Sequence, residues 1–321
     1  MAAAEPVTIT GRAMGTGWSV KFFQPPVPLD RDAVSREVAA LLEKLEQQFS
    51  TYRPQSELSR FNASDRTDWI AVAPELAFVA AESRRISELT GGAFDVTVLP
   101  LVALWGFGPG GQSGTIPSAK EIAAARQRVD WRRLEVRLEP PALRKLEPRV
   151  EVDFSSMAKG FAADAVSQRL TALGAPQYLV QVGGDVRAGA AATGAAGWPI
   201  AIEQPLDVAS ARSVADVIRL AGRAVSTSGD HRNSFRVGRK RYGHIIDPRT
   251  GKPVDGDLAS VSVVHDSCAT SSALATALFV LGADEGFRLA TRERLACLFL
   301  LRDGAGIVRR PTHEFERLLR P

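Results

Sequence analysis

The stretch AKGFAADAVSQRLTALGAPQYLVQV, residues 158–182, contains a helical pattern followed at once by a strand pattern. Its first part carries apolar residues at helical spacing, Phe161, Val166, Leu170 and Leu173, and Gly174 is a typical helix end. The segment Tyr178–Val182 is rich in β-forming residues. This stretch predicts a fold that mixes helices with strands.

The rest of the chain continues the mixture without a regular alternation. Further helices are predicted over residues 30–49, behind an Asp30 cap, and 74–91, where Pro74 suits the first turn. Strands are predicted over 19–22, 198–202, 260–264 and 295–301, and loops over 106–118 and 188–197. The pattern favours an α+β fold with mixed, largely antiparallel sheets flanked by helices; an α/β fold with much antiparallel sheet stays open.

The composition is that of a water-soluble globular enzyme. Of 321 residues, 45% are hydrophobic and 24% are charged, which excludes a disordered tail or a fibre. Charged residues, Pro or Gly interrupt every apolar run before the roughly 18 residues that a membrane span needs. The net charge is only +4 and Lys/Arg clusters with interleaved aromatic residues are missing, so no nucleic-acid partner is expected.

The cysteines and the first residues bear on the compartment. Cys268 and Cys297 are too few for a disulfide framework or a zinc site, and one bridge or two buried thiols are both open. The first six residues have neither a basic nor an apolar signal region, so no export signal is expected in this numbering. An Ala-rich start also fits a mature chain whose leader has been replaced by Met1.

Short polar segments carry the chemical information. Neither a Walker A loop nor an HExxH, GxSxG or strand-bound GxGxxG motif occurs, and the histidines are too scattered for a metal cluster. Seven segments are instead dense in Gly, Asp, Ser, Thr and Asn: residues 14–17, 50–62, 91–95, 152–160, 182–185, 226–230 and 244–251. Each alone is compatible with a turn. Together they favour a site for a polar ligand.

Three of these segments suggest individual roles. His244 is the best general-base candidate, because an unperturbed imidazole pKa of about 6.5 suits proton removal from a hydroxyl at neutral pH. The alternative is that His244 only holds the turn that contains Asp247. Thr227 and its neighbours can offer hydroxyls and amides to phosphates. Asp185, after two glycines, is expected to be structural.

The ordered set of motifs resembles the FAD:protein FMN transferase family, the ApbE-type flavin transferases. The agreement extends over about 270 residues, through segments at 14–16, 94–95, 100–107, 153–160, 227–230, 244–248 and 275–282. The resemblance implies an ApbE-like (T-fold-like) architecture and a single domain over residues 1–321. Two lobes with the FAD site between them are an alternative within that domain.

The resemblance also implies an activity. Members of the family cleave FAD at its pyrophosphate with Mg²⁺, attach FMN by a phosphoester to a Thr or Ser of an acceptor protein, and release AMP. The implied partner is a redox flavoprotein of the respiratory or quinone-reductase type. The implied location is bacterial and periplasmic or exported, with peripheral membrane association as an option.

Site residues follow from the matching positions. The resemblance places FAD contacts at Met14, Tyr52, Ala93, Phe94, Asp95, Asp153, Lys159 and Ile246, to which Thr227 is added as a phosphate contact. For Phe94, core packing is an equal alternative. For Tyr52, which lies in a polar segment, ligand contact is favoured.

The metal site departs from the family pattern. The implied ligands are an oxygen at Ser156 and an Asp and a Thr four residues apart on the last conserved helix, where this chain has Ser272 and Thr276. Because Mg²⁺ usually takes one or two carboxylates plus substrate phosphates, loss of this Asp is expected to weaken metal binding. The alternatives to the transferase are an FAD-binding protein with weak or no turnover and an FAD pyrophosphatase.

The positive charge directs attention to cations near the pyrophosphate. Lys159, Arg232 and Arg249 each lie inside one of the polar segments. A cation there would partly substitute for the metal.

Overall fold

The protein is described by a computed structural model that covers residues 5–111, 114–192, 194–205, 213–230, 233–238, 240–304 and 306–319. The helices of this part of the chain are α1 (Arg31–Phe49), α2 (Glu57–Ala63), α3 (Pro74–Leu89), α4 (Leu99–Leu104), α5 (Ala119–Arg126), α6 (Ser155–Ala172), α7 (Cys268–Arg292) and α8 (His313–Leu319). None of them combines the length and apolarity that a membrane-spanning segment needs.

Eight strands form the main sheet. In chain order they are β1 (Val7–Ala13), β2 (Thr16–Phe22), β6 (Tyr178–Val182), β7 (Asp185–Ala188), β10 (Ala224–Gly229), β15 (Leu258–His265), β16 (Ala296–Asp303) and β17 (Gly306–Pro311), and they lie in this order across the sheet. Every pair of neighbours is antiparallel. The predicted α+β class with largely antiparallel sheets is confirmed.

Short strands make the smaller sheets. They are β3 (Ile70–Ala71), β4 (Leu134–Leu138) and β5 (Pro141–Lys145), and the hairpin pairs β8 (Trp198–Glu203) with β9 (Val214–Leu220), β11 (Ser234–Val237) with β12 (Lys240–Gly243), and β13 (Ile246–Asp247) with β14 (Lys252–Pro253). The predicted strands at 19–22, 178–182, 198–202 and 260–264 fall inside observed ones, and that at 295–301 begins one residue before β16.

Helix α6 begins earlier than its apolar pattern predicts. Its first residue is Ser155 rather than one near Ala158. The Asp153 carboxylate accepts the backbone N–H of Ser155 at 2.8 Å, which satisfies an amide that lacks an intrahelical partner. The first turn therefore contains Ser155 and Ser156, two polar residues that an apolar pattern does not reveal. Helix α1 begins directly after its predicted cap, Asp30, and α3 begins with Pro74 in its first turn, as predicted.

The two faces of the main sheet have separate cores. On one face, α1, α3, α6 and α7 bury a large cluster that includes Phe22, Phe154 and Phe299. On the other face, the β8–β9 hairpin and α8 cover a smaller cluster around Ile218 and Phe315. The alternation of side chains along each strand supplies apolar residues to both sides, as expected for a sheet covered on both faces.

Helices α6 and α7 pack closely along their first turns. A Cβ atom on Gly160 would overlap the carbonyl oxygen of Cys268 and lie 2.9 Å from the amide nitrogen of Ala269. The Asp164 carboxylate of α6 accepts the amide N–H of Cys268 at 2.8 Å and that of Ala269 at 3.1 Å. An acidic side chain at a helix N-terminus is favourable, so Asp164 joins the two helices.

Both cysteines are buried free thiols, which decides between the two alternatives left by the sequence. Burial raises the pKa of each thiol above its ordinary value.

Candidate functional site

A cavity of about 470 Å³ lies where α6, α7 and β10 meet the segments around Phe94 and His244. Its size falls within the range of small-molecule sites. All the predicted site residues except Met14 line this cavity. Met14 lies in the β1–β2 turn, where its backbone N–H donates to Glu46 Oε2 at 2.8 Å and its φ is 52°.

The N-terminal turns of α6 supply one wall. Ser156 and Lys159 are three residues apart and so project from the same helix face. The Lys159 ammonium donates to the Ser155 carbonyl at 2.8 Å, which holds it at the cavity. Asp153 precedes the helix and its carboxylate accepts the Ser155 amide. The helix start thus brings a carboxylate, a hydroxyl and a cation together.

Helix α7 supplies the facing wall. Ser272 and Thr276 are four residues apart on one face, and both line the cavity. The Thr276 hydroxyl donates to the Ser272 carbonyl at 3.2 Å and lies 3.0 Å from the Ser228 hydroxyl of β10. The Ser272 hydroxyl donates to Asp185 Oδ2 at 3.2 Å.

Strand β10 contributes its hydroxyls to two different faces. Ser226 and Ser228 face α7, since their hydroxyls contact Cys268 and Thr276. Thr227 lies between them, so its side chain is on the opposite face, where its hydroxyl is 2.7 Å from that of Ser262. Thr227 lines the cavity, but Ser228 is the residue that joins the α7 hydroxyls.

Asp185 is the residue that sequence reasoning set aside. It is only 6% exposed, yet it lines the cavity beside Ser272. Burial raises the pKa of Asp185, while the nearby Lys159 ammonium and hydrogen bonds from Ser226 and Ser272 act in the opposite direction. The signal was present in its Gly-Gly-Asp motif, but its contact with α7 joins residues 87 positions apart and has no local signature.

The segment 93–95 lines the cavity from buried positions. Ala93 and Phe94 are 1% and 3% exposed and belong to the main core, so Phe94 packs in the core as well as facing the site. The Asp95 carboxylate accepts from the amide and hydroxyl of Thr97 at 2.8 and 2.6 Å and from the Trp131 amide at 3.0 Å. These bonds make Asp95 the N-cap of a short 3₁₀ turn.

His244 lies at an aromatic edge of the cavity. Its Nδ1 is 3.1 Å from the carbonyl oxygen of Asn233, and the Phe107 ring meets the imidazole edge-on at 6.3 Å between centroids. Because a carbonyl only accepts hydrogen bonds, this contact places the proton on Nδ1 and makes Nε2 the basic nitrogen. The Tyr52 hydroxyl donates to the Phe107 carbonyl at 3.1 Å, which brings this exposed ring to the same edge.

The residues after His244 form a turn. Ile246 is buried and lines the cavity. The Asp247 carboxylate accepts from the Arg249 amide at 2.8 Å and its guanidinium at 3.0 Å, so Asp247 shapes the turn. Arg249 forms an ion pair with Asp247 and is not among the cavity-lining residues. Arg232 lies outside the described residues.

The oxygen donors fit a hard cation only in part. Within the described ranges no group of three or more His, Cys, Asp or Glu side chains could hold a metal ion. The oxygen donors that line the cavity include the hydroxyls of Ser156, Ser272 and Thr276 and the carboxylates of Asp153 and Asp185. Such a set suits Mg²⁺ when substrate phosphates complete the coordination.

Residues of the β8–β9 hairpin were missed by sequence reasoning. Ile200, Ala201, Ile202 and Glu203 line the cavity from the far side of the sheet. The alternation of apolar residues along β8 indicates a strand, but nothing in it indicates what the strand faces.

Comparisons with known proteins identify the family of the chain. The profile of the ApbE family matches residues 14–299. The chain is 38% identical over 316 residues to the FAD:protein FMN transferase of Vibrio cholerae, covering 98% of this chain and 93% of that protein. It is 35% identical over 305 residues to the FAD:protein FMN transferase of Escherichia coli K12, covering 94% and 86%.

Solved structures share the fold. The flavin transferase ApbE from Vibrio cholerae superposes with a TM-score of 0.90 at 36% identity, covering 99% of this chain and 100% of that one. The apo flavinyl transferase ApbE of Pseudomonas stutzeri gives 0.88 at 37% identity, covering 98% and 97%. From the family match and these relatives, the chain belongs to the ApbE family.

Proposed function

We propose that this protein is an FAD:protein FMN transferase. The observation that carries the proposal is that one cavity gathers the residues at FAD-contacting positions, except Met14, together with His244 and the α7 hydroxyls. In the reaction, a Thr or Ser oxygen of an acceptor protein attacks the phosphorus of the FMN half of FAD. The bridging P–O bond breaks, AMP leaves and a phosphoester to FMN forms.

In this reaction the chain binds and orients FAD and accepts the proton of the attacking hydroxyl. The cavity walls bind and orient FAD, with Phe94, Tyr52 and Ile246 offering apolar or ring contacts and Lys159 offering positive charge to the diphosphate. Correct alignment of the reacting oxygen and phosphorus supplies much of the catalysis in phosphoryl transfer. His244 Nε2 accepts the proton of the attacking hydroxyl, while the Asn233 carbonyl holds Nδ1.

We also propose that the reaction depends on Mg²⁺ held by the oxygens at Ser156, Ser272 and Thr276. A bound Mg²⁺ neutralises charge on the phosphate oxygens. Support comes from the family resemblance and from the all-oxygen donor set at the cavity.

The acceptor and the location are proposals that rest on the resemblance. We propose a respiratory or quinone-reductase flavoprotein as acceptor, action outside the cytoplasm with peripheral membrane association, and a single domain over residues 1–321.

The test uses purified protein, FAD, Mg²⁺ and a candidate acceptor domain. We expect a flavin-fluorescent acceptor band on a denaturing gel and equimolar AMP. His244→Asn removes the base but keeps a polar side chain, and it should lower the transfer rate about 10²- to 10⁴-fold while FAD still binds.

The same assay separates the alternatives. AMP and FMN without a labelled acceptor would indicate a pyrophosphatase. Bound FAD with neither product at any Mg²⁺ concentration would indicate an FAD-binding protein, the reading that Ser272 favours. Either result contradicts the proposed transferase, provided that an acceptor labelled by another family member is used as the positive control.

A further inference from the structure

Because residue 272 is a serine, α7 lacks the expected carboxylate. The cavity still has a carboxylate close to this position. Ser272 Oγ donates to Asp185 Oδ2 at 3.2 Å, so the hydroxyl that stands in the place of the acid touches another acid directly. Asp185 comes from β7, a different element, and lines the same cavity as Ser156 and Thr276. A carboxylate therefore lies within one side-chain contact of the expected position.

The β6–β7 turn holds this carboxylate in place. Val182 pairs with Asp185, so Gly183 and Gly184 alone form the turn, and both have positive φ, 60° and 106°. Two such residues are the requirement of a tight type I′ hairpin. A Cβ on Gly183 would lie 2.6 Å from Lys159 Cδ, so the turn packs directly against the α6 lysine.

Among the interactions described for the Asp185 carboxyl, Lys159 is the single cation. Its other partners are the hydroxyls of Ser226 and Ser272. A buried carboxylate is costly without strong compensation, and hydroxyl groups compensate it weakly. A divalent cation next to it would supply the missing charge, and oxygen ligands are what Mg²⁺ and Mn²⁺ prefer.

We propose that Asp185 takes over the role of the missing α7 acid and is the carboxylate ligand of the catalytic cation. Ser272 and Thr276 supply further oxygen ligands to the same cation. The inference rests on the proposed function, in which a divalent cation binds with the diphosphate of FAD. The site thus keeps one carboxylate charge, which comes from Asp185 of the β6–β7 hairpin rather than from α7.

The test measures binding of Mn²⁺ by electron paramagnetic resonance in the presence of FAD, without an acceptor. Loss of ligand-orienting groups alone weakens metal sites 10- to 100-fold, so Asp185→Asn should raise the Kd for Mn²⁺ at least about tenfold. Adding Ser272→Asp to that variant should restore the Kd to within about threefold of the wild type. The matched control, Asp255→Asn, removes an exposed acid paired with Lys240 and should leave the Kd unchanged.

Several results would overturn the inference. These are a wild-type protein that binds no Mn²⁺, or an Asp185→Asn variant with an unchanged Kd. If Asp185→Asn does not fold, the anomalous signal of Mn²⁺ in crystals of the wild type with FAD decides: a peak on the Asp185 carboxylate supports the inference, and a peak elsewhere contradicts it.

The transfer assay is read separately. If FMN is transferred and the Kd for Mn²⁺ does not depend on Asp185, only the inference is refuted. If Mn²⁺ binding depends on Asp185 but no FMN is transferred, only the proposed function is refuted.

Discussion

Asp95 shows how a residue that lines the cavity can also stabilise the local structure. Its carboxylate already accepts three hydrogen bonds from Thr97 and Trp131. Burial outweighs these bonds and raises the pKa of Asp95 from 3.8 to about 6. The motif containing Asp95 was predictable from the sequence, but its contact with Trp131 was not, because Trp131 is 36 residues away in the chain.

The raised pKa predicts a pH-dependent stability. Between about pH 4 and pH 6 the folded protein keeps the Asp95 proton and the unfolded chain loses it, so the free energy of unfolding falls as the pH rises, by up to about 3 kcal/mol. Asp95→Asn lacks this titration. Urea unfolding measures the free energy of unfolding of both proteins from pH 4 to 7. The value for the variant minus that for the wild type should rise over this range by up to about 3 kcal/mol.

The control for this measurement is Asp68→Asn, an exposed acid paired with Arg66. Its curve should run parallel to that of the wild type. Parallel curves for Asp95→Asn as well would contradict the prediction.

His244, Ser272 and Asp185 illustrate what single residues reveal. His244 was selected because of the chemistry of imidazole, and the structure brings it to the cavity. Ser272 was recognised as a departure from a pattern. Asp185 was taken as structural, because a Gly-Gly-Asp turn has many structural uses and its contact with Ser272 depends on a residue 87 positions away.

Among the elements, the contact of α6 with α7 controls the geometry of the site. Ser156 and Lys159 lie on one helix and Ser272 and Thr276 on the other, so the spacing of these groups depends on the close approach at Gly160. The helical pattern of α6 was readable from its apolar residues. The need for glycine was not, since the obstructing atoms belong to the backbone of α7.

Gly160→Ala should therefore destabilise the protein. The added methyl group meets backbone atoms of Cys268 and Ala269, which cannot rotate away, so the helices must separate. Overpacking of this kind costs about 1–3 kcal/mol, even though alanine favours a helix over glycine by about 1 kcal/mol. Urea unfolding measures the loss, and FAD titration should show weaker binding.

Gln168→Ala is the matched control, because Gln168 is exposed on the same helix. Its stability should stay within about 0.5 kcal/mol of the wild type. A Gly160→Ala variant as stable as the control would show that the two helices tolerate separation.

The two thiols report on the whole molecule. Cys268 is the first residue of α7 and Cys297 lies in β16, next to the edge strand β17 of the main sheet, and both are fully buried. Burial raises the pKa of both thiols, which suppresses the reactive thiolate. Labelling by a disulfide reagent should therefore occur only as the structure opens.

The native protein should show no rapid labelling, and two thiols per chain should react in urea. A cysteine introduced by Gln168→Cys, on the exposed face of α6, should react at once and so controls for the reagent. Rapid reaction of either native thiol would contradict the burial described here.

The sequence by itself determined the α+β class, helices α1, α3 and α6, strands β2, β6, β8, β15 and β16, and polar segments that line the cavity. These depend on periodicity and on residue chemistry within short distances. The tertiary structure alone decided which segments meet. The packing of α7 on the sheet brings Ser272 to Asp185 and Thr276 to Ser228, whereas Thr227 meets Ser262 on the opposite face. Such contacts join residues far apart in the chain, so no local pattern encodes them.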